Sequence, residues 1–313
     1  MQTADLTAGE RIRRVTDGSA SADAAVSAAE RYAADAADTR PVTIIGPPSL
    51  SPGTIVRALG RLVQYRDLLY TLTVHRLQVR YKQSALGWLW AVLQPLLLML
   101  MYTVIFWKLA RVDTGTTPYP LFAYSALLIW SCFSTAVGSA TNSLVSHFSL
   151  VTKVYFPREI LPITYVLASL VDLVAGSVVL ALLVVYFDWP LTFQLVQVVP
   201  AVFVFVLFAM AVSLVLCAVQ VRYRDIGIAM PLLLQLWMFA TPVVYPLSAV
   251  PTRWHDLYLL NPMAGVVESF RDALLGKAVS YGPLAVAAAV SIVALPLAYL
   301  YFKHVESTVA DVL

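Results

Sequence analysis

Arg80-Tyr81-Lys82-Gln83-Ser84-Ala85-Leu86-Gly87-Trp88-Leu89-Trp90-Ala91-Val92-Leu93-Gln94-Pro95 is where the chain declares its class. A basic, amphipathic segment turns hydrophobic within a few residues. Charged side chains stop at Lys82 and do not return until Lys108, and Trp88 and Trp90 sit at the changeover. Basic residues, then tryptophans, then a long uncharged run mark a chain leaving a membrane surface and entering the bilayer. The small residues Ser84, Ala85 and Gly87 permit a sharp turn between a helix lying on the membrane and one crossing it.

Composition agrees. Of 313 residues, 60% are hydrophobic and only 12% charged, about half the roughly 25% typical of soluble domains. A soluble core is excluded, and the class is an all-α polytopic membrane protein. The basic residues are spread over membrane-flanking loops rather than gathered into a groove, so nucleic acid is not a partner. Cys132 and Cys217 fall inside apolar runs and read as small core residues. No apolar signal core stands at the N-terminus, so no cleavable signal peptide is read.

Outward from the opening stretch, residues 1–53 are rich in Ala, Asp, Ser and Thr and then in Pro, and read as a disordered or loosely helical tail and linker. Residues 54–85 form an amphipathic surface-helix region, with Leu62, Leu68, Leu69, Leu72, Leu77 and Val79 supplying apolar faces and Arg57, Arg61, Arg66, Arg76, Arg80 and Lys82 supplying charge. Residues 86–313 carry apolar runs of about 20 residues, enough to cross the hydrocarbon: 86–107, 121–141, 160–187, 198–219, 226–245 and 284–302. About six spans put both termini on one side. Arg57 to Lys82, Lys153, Arg158, Arg222, Arg224 and Lys303 fall on one side, against Lys108, Arg111, Arg253, Arg271 and Lys277 on the other, so both termini are predicted to be cytoplasmic.

Three segments outside the spans carry chemistry. Lys153-Val154-Tyr155-Phe156-Pro157-Arg158-Glu159 joins charge and aromatics on a short cytoplasmic loop. It reads either as a docking element, with Arg158 and Glu159 paired at its rim, or as an interfacial belt. Arg222-Tyr223-Arg224-Asp225 is a tight turn, with Asp225 as helix cap. On the external side, about 251–276, two short helices are predicted: one carries Trp254 and Leu257, and the other is capped by Asn261, opened by Pro262, carries Phe270 and ends at Gly276. Glu268 and Arg271 lie one turn apart on the second and can pair. Aromatics recur along the spans, among them Tyr102, Phe106, Trp107, Trp237, Phe239 and Tyr245; they suit sugar stacking, or a lipid-facing belt and helix packing. Asp172, in the third run, is a lone intramembrane acid that either pins two helices or acts in transport. The four histidines lack metal-ligand spacing, and no phosphate-binding G-x-x-x-x-G-K-[ST] loop occurs, so the chain itself is not read as an ATPase or any other enzyme.

The sequence resembles the membrane-spanning permease of type-2 ABC exporters, in the branch that exports lipid-linked polysaccharides such as O-antigen, teichoic acid or galactan. The features that carry the resemblance are Arg80-Tyr81-Lys82-Gln83-Ser84-x-Leu86-Gly87-x-x-Trp90 running to Pro95, Phe156-Pro157-Arg158-Glu159-Ile160-Leu161-Pro162, Arg222-x-Arg224-Asp225, and Asn261-Pro262 followed by Arg271 and Leu275-Gly276. It covers the chain from about residue 54 onward.

The resemblance implies a homodimer working with two copies of a separate ABC ATP-binding subunit, in which ATP and Mg reside; this chain would bind no cofactor. It places Arg76, Arg80, Lys82, Ser84, Leu86, Gly87 and Trp88 at a substrate entrance beside the interface helix. Lys153, Tyr155, Phe156, Arg158 and Glu159 would couple to the ATPase. Trp254, Leu257, Asn261, Pro262, Glu268, Phe270 and Arg271 would belong to external gate helices, and the six aromatics named above would line a glycan channel. Other readings remain: export of a drug or small lipid by the same kind of exporter, an ion-coupled secondary transporter, and a membrane-embedded transferase, although the clustered carboxylates or metal ligands of the last are not seen.

Overall fold

The computed structural model describes residues 60, 62–82, 87, 89–111, 113–154, 156–278 and 281–312. The predicted tail and linker at 1–53 lie outside the described residues, as do Ser84, Leu86, Trp88 and Tyr155. Among the described residues the fold is helical throughout: α1 Arg66–Lys82, α2 Leu89–Tyr102, α3 Tyr119–Thr141, α4 Ser143–Ser146, α5 Phe148–Lys153, α6 Ile160–Tyr186, α7 Val198–Arg222, α8 Asp225–Phe239, α9 His255–Leu260, α10 Pro262–Leu274 and α11 Tyr281–Val312.

Among the described residues, five helical stretches are long and apolar enough to cross a membrane: 92–109, 119–141, 160–186, 193–222 and 281–306. The run expected at 226–245 is helical only as α8, 15 residues long, because the chain breaks at Ala240-Thr241-Pro242. The first span changes pitch: α2 gives way to a π-helix over Thr103–Leu109, where the Ala110 N–H reaches back five residues to the Ile105 carbonyl.

α1 carries Asp67 in its first turn and Arg80 and Lys82 in its last, the arrangement that suits the helix dipole. Leu68, Leu69 and Leu72 pack it onto a cluster built from Leu144, Phe156, Leu161, Leu214 and Phe302. Gly87, at φ +49°, lies between α1 and α2; the left-handed region costs glycine little and other residues more.

α3 is the central pillar. It is buried on nearly every side from Tyr119 to Thr141 and packs against α2, α6, α7, α8 and α10. A helix buried around nearly its whole girth belongs inside a bundle. Since lipid tails are as apolar as leucine, close packing and hydrogen bonds must hold such helices together. Phe133 supplies much of that packing, stacked on Phe208 at 5.9 Å and edge-on to Trp237 at 5.2 Å. Aromatic pairs in these geometries contribute about 0.5–1.5 kcal/mol each beyond area burial. α7 and α11 make the most extensive helix pair.

Two local expectations resolve differently. Asn261 caps α10, its side chain accepting from the Met263 N–H at 3.2 Å, with Pro262 in the first turn. Asp225 does not cap α8: it is that helix's first residue, and the residue before it, Arg224, makes no side-chain cap bond. An acid in the first turn still complements the helix dipole.

Candidate functional site

A slot of about 730 Å³ opens between α1, α2, α3, α6 and α8. Each wall presents one stripe at helical spacing. α2 contributes Gln94, Leu98 and Tyr102; α8 contributes Gly227, Met230, Pro231, Leu234, Gln235 and Met238. α3 contributes Ser131, Ser134, Thr135, Gly138 and Ser139, and its C-cap Asn142 continues this polar stripe on an otherwise apolar helix. Tyr165 and Ser169 come from α6, and Arg76 and Arg80 from α1.

The two arginines differ in their partners. Arg80 Nη1 lies 2.6 Å from Asp172 Oδ2, so the acid of the third long span ties α6 to the last turn of α1. Arg76 is stacked over the Tyr165 ring at 4.4 Å, and its Nη1 contacts His147 Nε2. A guanidinium only donates, so Nε2 must accept. His147 Nδ1 faces the Ser143 carbonyl at 2.9 Å and therefore carries the proton. The imidazole that fits is neutral. Burial holds the His147 pKa below its ordinary 6.5; Arg76 and His75 act in the same direction, and the Ser143 carbonyl opposes them. Arg76 Nε and Nη2 are buried and meet no acceptor among the described residues.

Where α3 ends, a polar knot closes the slot. Gln220 Nε2 donates to Asn142 Oδ1 and to the Arg224 carbonyl, both at 3.1 Å, and Gln220 Oε1 accepts from the Gly227 N–H at 2.6 Å. It anchors the Arg222–Asp225 turn, whose four side chains are exposed.

Of the six aromatics singled out in the sequence, Tyr102 lines the slot and its hydroxyl faces Met238 Sδ at 3.9 Å. Phe106 packs on the core, and Trp107 and Phe239 are exposed. Trp237 turns into the Phe133 cluster and donates from Nε1 to Asn261 Oδ1 at 3.2 Å. The Tyr245 hydroxyl bonds the Phe239 carbonyl and pairs with Tyr258 of α9.

The Lys153–Glu159 segment divides in two. Lys153 and Val154 are exposed. Phe156 is buried in the α1-side cluster, and Glu159 is fully buried. Lys303 of α11 reaches Glu159 Oε2 at 2.6 Å and Glu306 Oε2 at 2.5 Å, and Arg158 Nη1 donates to the Glu306 carbonyl at 3.1 Å. The two charges expected at a docking rim are thus knitted into the C-terminal helix.

Among the gate-helix residues, Trp254 and Leu257 are exposed, while Pro262 and Phe270 are buried. Arg271 is buried under the Phe122 ring at 4.1 Å and donates to the Pro242 carbonyl at 3.0 Å, with Glu268 half-buried a turn away. Gly276, at φ +66°, follows the end of α10. Gly87 stands at the mouth of α2, and Lys82 is exposed.

Sequence reasoning missed the α3 stripe, Gln220, Tyr165 and Lys303. The stripe had a readable signal: polar or small residues at 131, 134, 135, 138, 139 and 142 repeat with the helical period.

Residues 67–275 match the family described as ABC-2 type transporter. The chain belongs to that family. The ABC-2 chain is 36% identical over 261 residues to the O-antigen export system permease protein of Myxococcus xanthus, covering 82% of this chain and 99% of that one. An O-antigen export permease of Klebsiella pneumoniae is 28% identical over 221 residues, covering 69% and 83%. The polysialic acid transport protein of Escherichia coli is 23% identical over 216 residues, covering 67% and 82%.

Proposed function

We propose that this ABC-2 permease is the membrane subunit of an ATP-driven exporter that moves a lipid-linked polysaccharide out of the cytoplasm. The observation that carries the reading is the slot, polar on its α3 wall, aromatic at Tyr102 and Trp130, and basic at Arg76 and Arg80, inside a bundle of spans. Hydroxyl and amide groups exchange hydrogen bonds with sugar hydroxyls, and aromatic faces take the apolar side of a sugar ring. The O-antigen and capsule polysaccharide export proteins to which the chain is similar support the same substrate class.

In this reading the α1 end faces the cytoplasm, as the Lys/Arg bias predicts, and both termini lie there. Leu97, Leu100 and Met101 of α2 and Ile228, Leu232 and Leu236 of α8 are exposed beside the slot, and a second copy seated on them would close a channel. Two ABC ATP-binding subunits, with ATP and Mg, would dock on Lys153, Val154 and the Arg222–Asp225 turn. Their motion would reach the bundle through Phe156, Arg158 and Glu159. Glycan would enter beside Gly87 and leave past α9 and α10.

Deleting the gene tests this. Surface polysaccharide should disappear while its lipid-linked precursor accumulates inside, and an ATPase-dead partner should reproduce the defect. Undiminished surface polysaccharide in the deletion strain would remove the proposal.

A further inference from the structure

Among the described residues, no acid pairs with Arg76. Its polar neighbour, His147, fits only as a neutral imidazole. Its other close contact is the face of Tyr165. The acid nearest in this wall, Asp172, pairs with Arg80. Nε and Nη2 are buried without a protein acceptor among the described residues, although the side chain lines the slot. Buried guanidinium nitrogens with no counter-charge among the described residues are costly, and an anion in the slot would supply it.

Beside that cation runs the polar wall. Ser131, Ser134, Thr135 and Ser139 stand on α3, Gln94 faces them from α2 and Gln235 from α8. From Ser131 to Asn142 the α3 stripe rises about 16 Å. The slot's 730 Å³ lies within the range of about 300–1,000 Å³ usual for small-molecule sites. A cation at one end and hydroxyls and amides along the wall match a phosphate joined to a sugar.

We propose that this slot binds the phosphate–sugar junction of the lipid-linked substrate, with Arg76 holding the phosphate and the α3 hydroxyls holding the first sugars. The assignment rests on the export reading above. It separates two arginines that the sequence treats alike: Arg76 takes the anion, and Arg80 holds α1 to α6 through Asp172. An ordinary anionic phospholipid offers the same phosphate chemistry but no sugar for the stripe, so the two sources can be told apart.

The test uses the full chain in phosphatidylcholine nanodiscs, with binding read from tryptophan fluorescence, to which Trp130 in the slot wall reports. The probes are a polyprenyl phosphate, the same phosphate carrying one hexose, and phosphatidylglycerol. The wild type should bind the hexose-bearing probe most tightly and phosphatidylglycerol least. Arg76→Gln should weaken both polyprenyl probes by about tenfold or more, as loss of a charged hydrogen-bond partner does. Arg66→Gln, on the same helix but away from the slot, should not.

Ser134→Ala with Thr135→Val should abolish the preference for the hexose-bearing probe without weakening the bare phosphate. Should Arg76→Gln assemble poorly, Arg76→Lys, which keeps the charge, and the α3 pair carry the test. Probe affinity within about twofold of wild type in Arg76→Gln overturns the proposal. So does retained hexose preference in the α3 variant, or phosphatidylglycerol binding as tight as the polyprenyl phosphate. Each of these three results leaves the export reading standing if surface polysaccharide still depends on this gene. Conversely, loss of the export reading would not change what Arg76→Gln does to phosphate binding.

Discussion

Substituting Met for Lys303 removes one half of a buried ion pair joining α6 to α11. Glu159 is the more buried partner, its side chain about 1% exposed against 10% for Lys303. The two single substitutions are therefore unequal. In Glu159→Gln, Lys303 keeps Glu306 on its own helix at 2.5 Å, so only a charge-assisted hydrogen bond is lost, about 1–2 kcal/mol. In Lys303→Met, the Glu159 carboxylate keeps a single long contact to the Tyr299 hydroxyl at 3.4 Å. A buried charge stripped of its partner costs about 3–5 kcal/mol. The double variant leaves no orphaned charge at Glu159, so it should be more stable than Lys303→Met by about 1 kcal/mol or more. Equilibrium unfolding of the detergent-solubilised protein, run as a double-mutant cycle, reads these differences. If the single costs simply add, or if Lys303→Met costs no more than Glu159→Gln, the pair does not hold α6 to α11 in the way described.

Asp172→Asn should cost only about 1 kcal/mol, because the Arg80 side chain is 42% exposed and the pair is partly screened; faster hydrogen exchange confined to the last turn of α1 checks it. Asn261→Ala removes the cap of α10 and the acceptor for the Trp237 indole, and thermal unfolding should report a loss of about 2 kcal/mol, with Asn261→Asp recovering about half of it. The His147 pKa is lowered on folding, so its contribution is fully present above pH 6.5 and is lost as pH falls below that value toward the folded pKa. Protonation also turns Nε2 into a donor facing Arg76. Protection of the α1 amides, corrected for the intrinsic pH dependence of exchange, should therefore fall in the wild type as pH drops below about 6.5, and His147→Gln should flatten that dependence; an equal slope in both proteins would rule His147 out.

Much of the fold was legible because hydropathy and helical period are local properties. The spans at 121–141, 160–187 and 198–219 became α3, α6 and α7 with ends shifted by a few residues. The Asn261-Pro262 cap was readable because capping is settled within one turn. The fifth run was read too long: its apolar residues continue past Phe239, but Thr241-Pro242 stops the helix. Trp237 shows the harder case. Its place in an apolar run suits a channel wall, the lipid or the core equally well, and only the packing of α8 on α3 and α7 turns it toward Phe133.

By itself, then, the sequence determined a helical membrane protein, the approximate limits of its spans, a basic α1 leading into the bilayer, and the turn at Gly87. Tertiary structure decided which charges meet. Arg80 finds Asp172 across 92 residues, and Lys303 finds Glu159 across 144. No local pattern encodes such partners, since they depend on which helix faces are brought together. The same holds for the slot: the α3 stripe can be counted in the sequence, but its facing walls and the buried Arg76 nitrogens at its edge exist only once the helices pack.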